Sequence, residues 1–282
     1  MAEPLKRIVG WTLGLVTLTC GIIWLAAFLI PSRTRAPLGE PQHAEAPRWY
    51  PQVGTVPSNH LKFYLVSPAP LTQGDIFAHL ELRDDTTSTP ISGAFRETEL
   101  WSPDSKRFTL WLHPGRQKTG VNLNEDEGPV LIEGHHYTLR LSKNATTTTG
   151  SPLPADITLR FQAGPADHTP PDPKRWIIHA PRAATRQPLI IRFDEPLDHA
   201  MLPAALELQG GMAADDIFIN TTGTAWQFTP RSPWTTGTLF LSINTNLEDL
   251  AGNNLLGPFE TDTARPQKGT EPVKAMLSFQ VN

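Results

Sequence analysis

The chain has a single cysteine, Cys20, so no disulfide can form within it and any exported part must be stable by packing alone. Charge is sparse as well. Asp, Glu, Lys and Arg make up 18% of the 282 residues, and the net charge is only -4. No basic stripe offers a surface to nucleic acid, and no acidic block reads as a solvating tail. The first globular half has no amphipathic pattern that runs for three helical turns.

Catalytic signatures are missing too. There is no Gly-x-Ser-x-Gly elbow, and no cysteine lies beyond residue 20. None of the nine histidines forms an HExxH pattern. His135 and His136 are adjacent, so on a strand they face opposite ways and cannot hold one ion together. Glu97, Glu99, Asp194, Glu195 and Asp198 supply carboxylates, but their spacing pairs none of them. No catalytic residue and no cofactor is therefore expected.

One long apolar run is present. Residues 8–30 carry no charge, with Lys6 and Arg7 before them and Pro31, Arg33 and Arg35 after. As a helix they would span roughly 35 Å, enough to cross a bilayer. A cleaved signal peptide would have a shorter run, and a lipoprotein signal would end its run at Cys20, which is instead followed by strongly apolar residues. The expectation is a cytoplasmic tail at 1–7, a transmembrane helix at 8–30 and the bulk of the chain periplasmic or extracellular. That orientation rests on the type of domain downstream, since the flanking charges are nearly balanced. Residues 31–57 read as a Pro-rich stalk, with Trp49 and Tyr50 beginning contact with the first domain.

Proline (28) and glycine (20) are plentiful, as in chains of many short strands joined by turns. Alternating runs predict strands at 61–65, 108–112, 137–141 and 157–161, with a turn and strand over 76–82. Residues 165–175 hold four prolines and form a linker between a first globular half, 58–164, and a second, 176–282. The order of features then repeats. Leu189–Phe193 corresponds to Leu61–Leu65, Leu206–Leu208 to Leu80–Leu82, and Trp226–Pro230 to Leu110–Pro114. Gly237 corresponds to Gly134, and Met276–Val281 to Ile157–Phe161. Such an ordered recurrence indicates one all-β fold used twice.

The second half carries Phe193-Asp-Glu195-Pro196-Leu197-Asp198, then Phe228-Thr-Pro230 through Trp234 to Gly237, then Asp249-Leu-Ala-Gly252-Asn253. In these motifs it resembles the bacterial immunoglobulin-like domains of S-layer and other cell-surface proteins. The first half lacks the Asp-x-Ala-Gly-Asn motif and carries an insert, 115–133, so its membership rests on the repeat. The resemblance implies two tandem immunoglobulin-like β-sandwiches, used as spacers or binding modules, and no particular reaction.

Two places could hold more than scaffold. Asp249 and Asn253 are a weak calcium candidate, because their loop offers only part of an oxygen ligand set. Their plainer role is a turn in which the Asp249 carboxylate accepts backbone N–H groups. The insert is a candidate recognition loop, basic at Arg116 and Lys118 and acidic at Glu125, Asp126 and Glu127. The expected role is a membrane-anchored envelope protein that binds or spaces, with a protein or an envelope polysaccharide as partner. One rival is a polysaccharide- or peptidoglycan-binding module, which needs an exposed aromatic row such as Trp101, Trp111 and Trp234. The other is a hydrolase with acidic residues gathered in an interdomain cleft.

Overall fold

The computed structural model describes residues 46–117, 122–259 and 275–282. The expected membrane helix at 8–30, the tail before it, most of the stalk and Lys118 lie outside the described residues. Among those described, no helix is long and apolar enough to cross a membrane.

The described chain is mostly β-sheet, and its helices are short. In the first half the strands are β1 (Arg48–Tyr50), β2 (Thr55–Pro57), β3 (Lys62–Val66), β4 (Leu80–Asp84), β5 (Thr89–Pro90), β6 (Leu100–Trp101), β7 (Arg107–Trp111), β8 (His136–Leu141) and β9 (Ile157–Gly164). They form two sheets, of order β1-β3-β7-β6 and β2-β9-β8-β4-β5. The second half holds β10 (Ile177–His179), β11 (Leu189–Arg192), β12 (Leu206–Leu208), β13 (Ala214–Ile219), β14 (Ala225–Pro230), β15 (Gly237–Ile243) and β16 (Ala275–Val281). Its sheets run β10-β11-β14-β13 and β12-β15-β16. The order β1-β3-β7-β6 has its counterpart in β10-β11-β14-β13, and β4-β8-β9 in β12-β15-β16.

Period-two alternation makes these strands. In β8, Tyr137, Leu139 and Leu141 are buried while His136, Thr138 and Arg140 turn outward. In the second half Trp226 and Phe228 of β14 lie beside Ile191 and Leu189 of β11. Each pair of sheets closes on its own core. The first contains Phe63, Leu65, Phe108, Leu110, Tyr137, Leu139 and Phe161. The second contains Leu189, Ile191, Trp226, Phe228, Trp234, Leu241 and Val281.

Three features differ from the sequence-based expectation. The stretch read as stalk up to residue 57 already supplies β1 and β2, and β1 pairs with β3, so Trp49 and Tyr50 make the contact expected of them. The insert is not a simple exposed loop. It contains two short helices, α1 (Pro114–Gln117) and α2 (Asn122–Glu127), and Arg116 and Gln117 are buried. β13 has no period-two pattern in the sequence, because its two aspartates, Asp215 and Asp216, break the alternation.

Trp226 is fully buried and its indole N–H has no hydrogen-bond partner. Its contribution is therefore packing alone. Trp226→Ala should lower unfolding free energy by about 3–5 kcal/mol, and Trp226→Phe by clearly less, as measured by urea denaturation.

Candidate functional site

The two sandwiches meet at β3. Its residues are buried on both faces, which the alternation alone does not require. Phe63 and Leu65 enter the first core, and Lys62 and Tyr64 point the other way, into the second half of the chain. The Lys62 ammonium lies 2.6 Å from Asp198 and 2.6 Å from Glu248, and Tyr64 donates to Asp198 at 2.6 Å. The Lys62 and Asp198 side chains are 9% and 2% exposed. Burial alone would disfavour the ammonium, but the two carboxylates outweigh it and hold its pKa above the ordinary lysine value. The Trp111 ring lies beneath the same ammonium, 5.2 Å away.

Further contacts surround this pair. His199 stacks on Tyr50 with ring centroids 4.1 Å apart. Burial pushes the pKa of His199 down to about 4 and that of the fully buried His60 to about 3, so both rings are neutral at physiological pH. Backbone bonds also cross the junction, from Leu61 N to Leu250 O (3.1 Å) and from Gln52 N to Thr221 O (2.8 Å). Leu250 is counted in the first core, not the second. Gly252 takes a φ of +84°, and a Cβ there would lie 2.4 Å from Leu61 Cδ1, so the close approach needs glycine.

The linker is tied down from both sides. Asn59 donates from Nδ2 to the Asp167 carbonyl (2.7 Å) and accepts from the Asp167 N–H (2.9 Å). Asn253 donates to that same carbonyl at 3.1 Å. Arg175 pairs with Asp194 at 3.0 Å.

The calcium candidate lies within this arrangement. Asp249 Oδ1 accepts the N–H groups of Ala251 and Asn253, which is the turn role expected of it. Asn253 is fully engaged, with Nδ2 on Asp249 and Asp167 and with Oδ1 accepting from Phe259 N. The carboxylates that do converge are Asp167, Glu195 and Asp249, with one oxygen from each within 4.8 Å of the others. Burial raises the pKa of Glu195 to about 8, helped by Asp249, Asp167 and Asp194 and opposed by Arg175. Burial likewise raises Asp249 to about 7, against the bonds from Asn253 and with help from Asp167. Such a trio can share a proton or hold a hard divalent cation. Sequence spacing hid it, because Asp167 belongs to the linker and the other two to separate loops.

The insert residues lie elsewhere. Arg116 donates to the carbonyls of Ser92, Glu127, Gly128 and Pro129, and Gln117 donates to His60 O at 2.6 Å. Arg116 is thus a rivet that fastens the insert, while Glu125, Asp126 and Glu127 are exposed. Glu99 accepts from Gly74 N, Ile76 N and Trp101 Nε1 beside an open hollow lined also by Phe77 and Glu97.

No protein-family model matches the chain, and no curated protein matches it. Among solved structures it is similar to domains 1-6 of the surface layer protein SbsC, at 10% identity and TM-score 0.30, covering 85% of this chain and 41% of that one. It is also similar to titin Ig tandem domains A164-A165, at 12% identity and TM-score 0.22, covering 80% of this chain and 89% of that one. These TM-scores are too low to carry an argument, so the architecture rests on the strand pairing itself.

Two outcomes follow from the junction. Lys62→Met strands Asp198 without its counter-charge and should cost about 3–5 kcal/mol in urea unfolding, with Asp198→Leu in the same background recovering part of the loss. The second concerns pH. The folded-state pKa values of Glu195 and Asp249 lie above the unfolded values of 4.5 and 3.8, so their protons stabilise the fold at low pH. That contribution should fall as pH rises from about 4 to about 8. Melting temperatures followed across this range should decline less steeply in Glu195→Gln than in the wild type.

Proposed function

We propose that the chain is a rigid envelope module of two immunoglobulin-like sandwiches, anchored in the membrane by residues 8–30 and used to bind or to space. The observation that carries this reading is the junction. Lys62, Asp198, Glu248 and Tyr64 join the two sandwiches through buried, charge-assisted bonds, and Asn59 and Asn253 hold the linker between them. A hinge would keep such contacts few and exposed. A fixed pair of sandwiches suits an arm that holds something at a set distance.

The polysaccharide-binding alternative needs an exposed aromatic row. Trp234 is 2% exposed, and Trp101 and Trp111 are half-buried against Phe108 and Lys62. A hydrolase needs reachable acids. Three acids do meet at the junction, which favours this reading more than the sequence did, but Asp249 is 2% exposed and committed to its own turn.

Protease added outside the cytoplasmic membrane of spheroplasts should digest residues 46–282 and leave a membrane-bound stub. Full protection would overturn the envelope assignment. Cross-linking of the intact protein in its own membrane, followed by mass spectrometry, should then recover an envelope component joined to one of the two sandwiches. Recovery of cytoplasmic enzymes alone would count against it.

A further inference from the structure

A chain with one cysteine cannot tie its two sandwiches together with a disulfide. The cluster at their junction has the parts for a different covalent bond. The Lys62 nitrogen touches two carboxylates at once, Asp198 Oδ2 and Glu248 Oε2, each at 2.6 Å. Among the described residues the other ion pairs are made by arginine or histidine, whose side chains are poor amine nucleophiles. A lysine amine is a good one once it has lost its proton.

Asp198 is held at both of its oxygens. Oδ1 accepts the backbone N–H groups of Ala200 at 3.0 Å and Met201 at 3.1 Å. Oδ2, the oxygen that the lysine touches, also accepts from the Tyr64 hydroxyl. Two backbone donors on Oδ1 can steady the negative charge of a tetrahedral intermediate, and the hydroxyl on Oδ2 can ease that oxygen away as a leaving group. Lys62 and Asp198 are buried, with Trp111 beneath the nitrogen, whereas Glu248 is 27% exposed and opens toward solvent. Reactants held in such contact behave as if present at about 10⁵ M or more. Turning a buried ion pair into a neutral amide also removes the cost of keeping two charges out of water.

We propose that Lys62 and Asp198 condense spontaneously into an amide that joins the two sandwiches covalently, with Glu248 carrying the proton. The ion pair described above is the reactant state. One proton passes from the ammonium to Asp198 Oδ2, which leaves a free amine beside a carboxylic acid. The nitrogen lone pair attacks Cγ and forms the new N–C bond, while the C=O electrons move onto Oδ1 between its two backbone donors. Glu248 takes a proton from the nitrogen and returns it to Oδ2. The Cγ–Oδ2 bond then breaks, the double bond to Oδ1 forms again, and Oδ2 leaves as water. Of the three ammonium protons, one stays on the amide and two depart in the water. Nothing is oxidised or reduced, and no co-reactant is needed. The inference rests on the junction geometry and does not depend on the envelope reading.

The test is tryptic digestion of the full chain, folded, then unfolded in denaturant, with mass spectrometry of the peptides. Trypsin does not cut after an acylated lysine. The wild type should therefore release residues 49–83 joined to residues 193–231, at one water less than their summed mass, with fragmentation placing the link between Lys62 and Asp198. Asp198→Ala should give the two segments separately, with a cut after Lys62. Glu248→Gln keeps the shape of its side chain but cannot take up the proton. In a time course of cell-free synthesis it should form the link at least about 100-fold more slowly, and Tyr64→Phe about tenfold more slowly. Circular dichroism of Glu248→Gln should match the wild type. Wild-type peptides that separate at their full masses would overturn the proposal whatever the variants do. A lost water located within one peptide alone, or a Glu248→Gln chain joined as fast as the wild type, would overturn it as well.

Discussion

A buried ammonium holds this molecule together. Lys62 sits between Asp198 and Glu248 in a place that water barely reaches, and the geometry around it is dictated by that fact. A lysine charge out of water is tolerable only if its counter-charges are close and its remaining polar neighbours are satisfied. Tyr64 completes the set by donating to Asp198, and the Trp111 ring lies under the charge. Each of these groups must be held within hydrogen-bond reach. That requirement fixes how β3 of the first sandwich meets the loops that follow β11 and β15 of the second.

The linker belongs to the same construction. Its prolines stiffen it, but the asparagines on either side do the fastening, one from each sandwich, both on the carbonyl of Asp167. Fastening Asp167 there brings its carboxylate toward Glu195 and Asp249. Burial, with neighbouring carboxylates adding to it, pushes the pKa values of Glu195 and Asp249 toward neutrality. The acidic trio is thus a direct consequence of how the junction closes.

Much of the fold was legible in the sequence. Strands with clean alternation, such as β7, β8 and β9, announce themselves because one face is core and the other is not. The repeat was legible for the same reason, since the same faces recur in the same order. β1, β2 and β6 were not, because two or three residues are too few to show a period. β13 was hidden by Asp215 and Asp216, which belong to its exposed stretch. The junction was least legible. Lys62 and Tyr64 look like the solvent side of a strand, and nothing local reveals that a second sandwich covers them. Arg116 misled in the opposite direction: a basic residue in a long insert suggests recognition, whereas its guanidinium is spent on backbone carbonyls.

Leu250 has a consequence of another kind. It is encoded in the second half, yet its side chain packs in the core of the first and its carbonyl receives the N–H of Leu61. Two halves with matching strand order, each with its own core, are not interchangeable parts. A gene fragment ending at the linker would lack a residue of its own interior. Position 62 is tied by contact to 198 and 248, and position 61 to 250 and 252. The chain holds two sandwiches, but the unit that must stay intact is the pair.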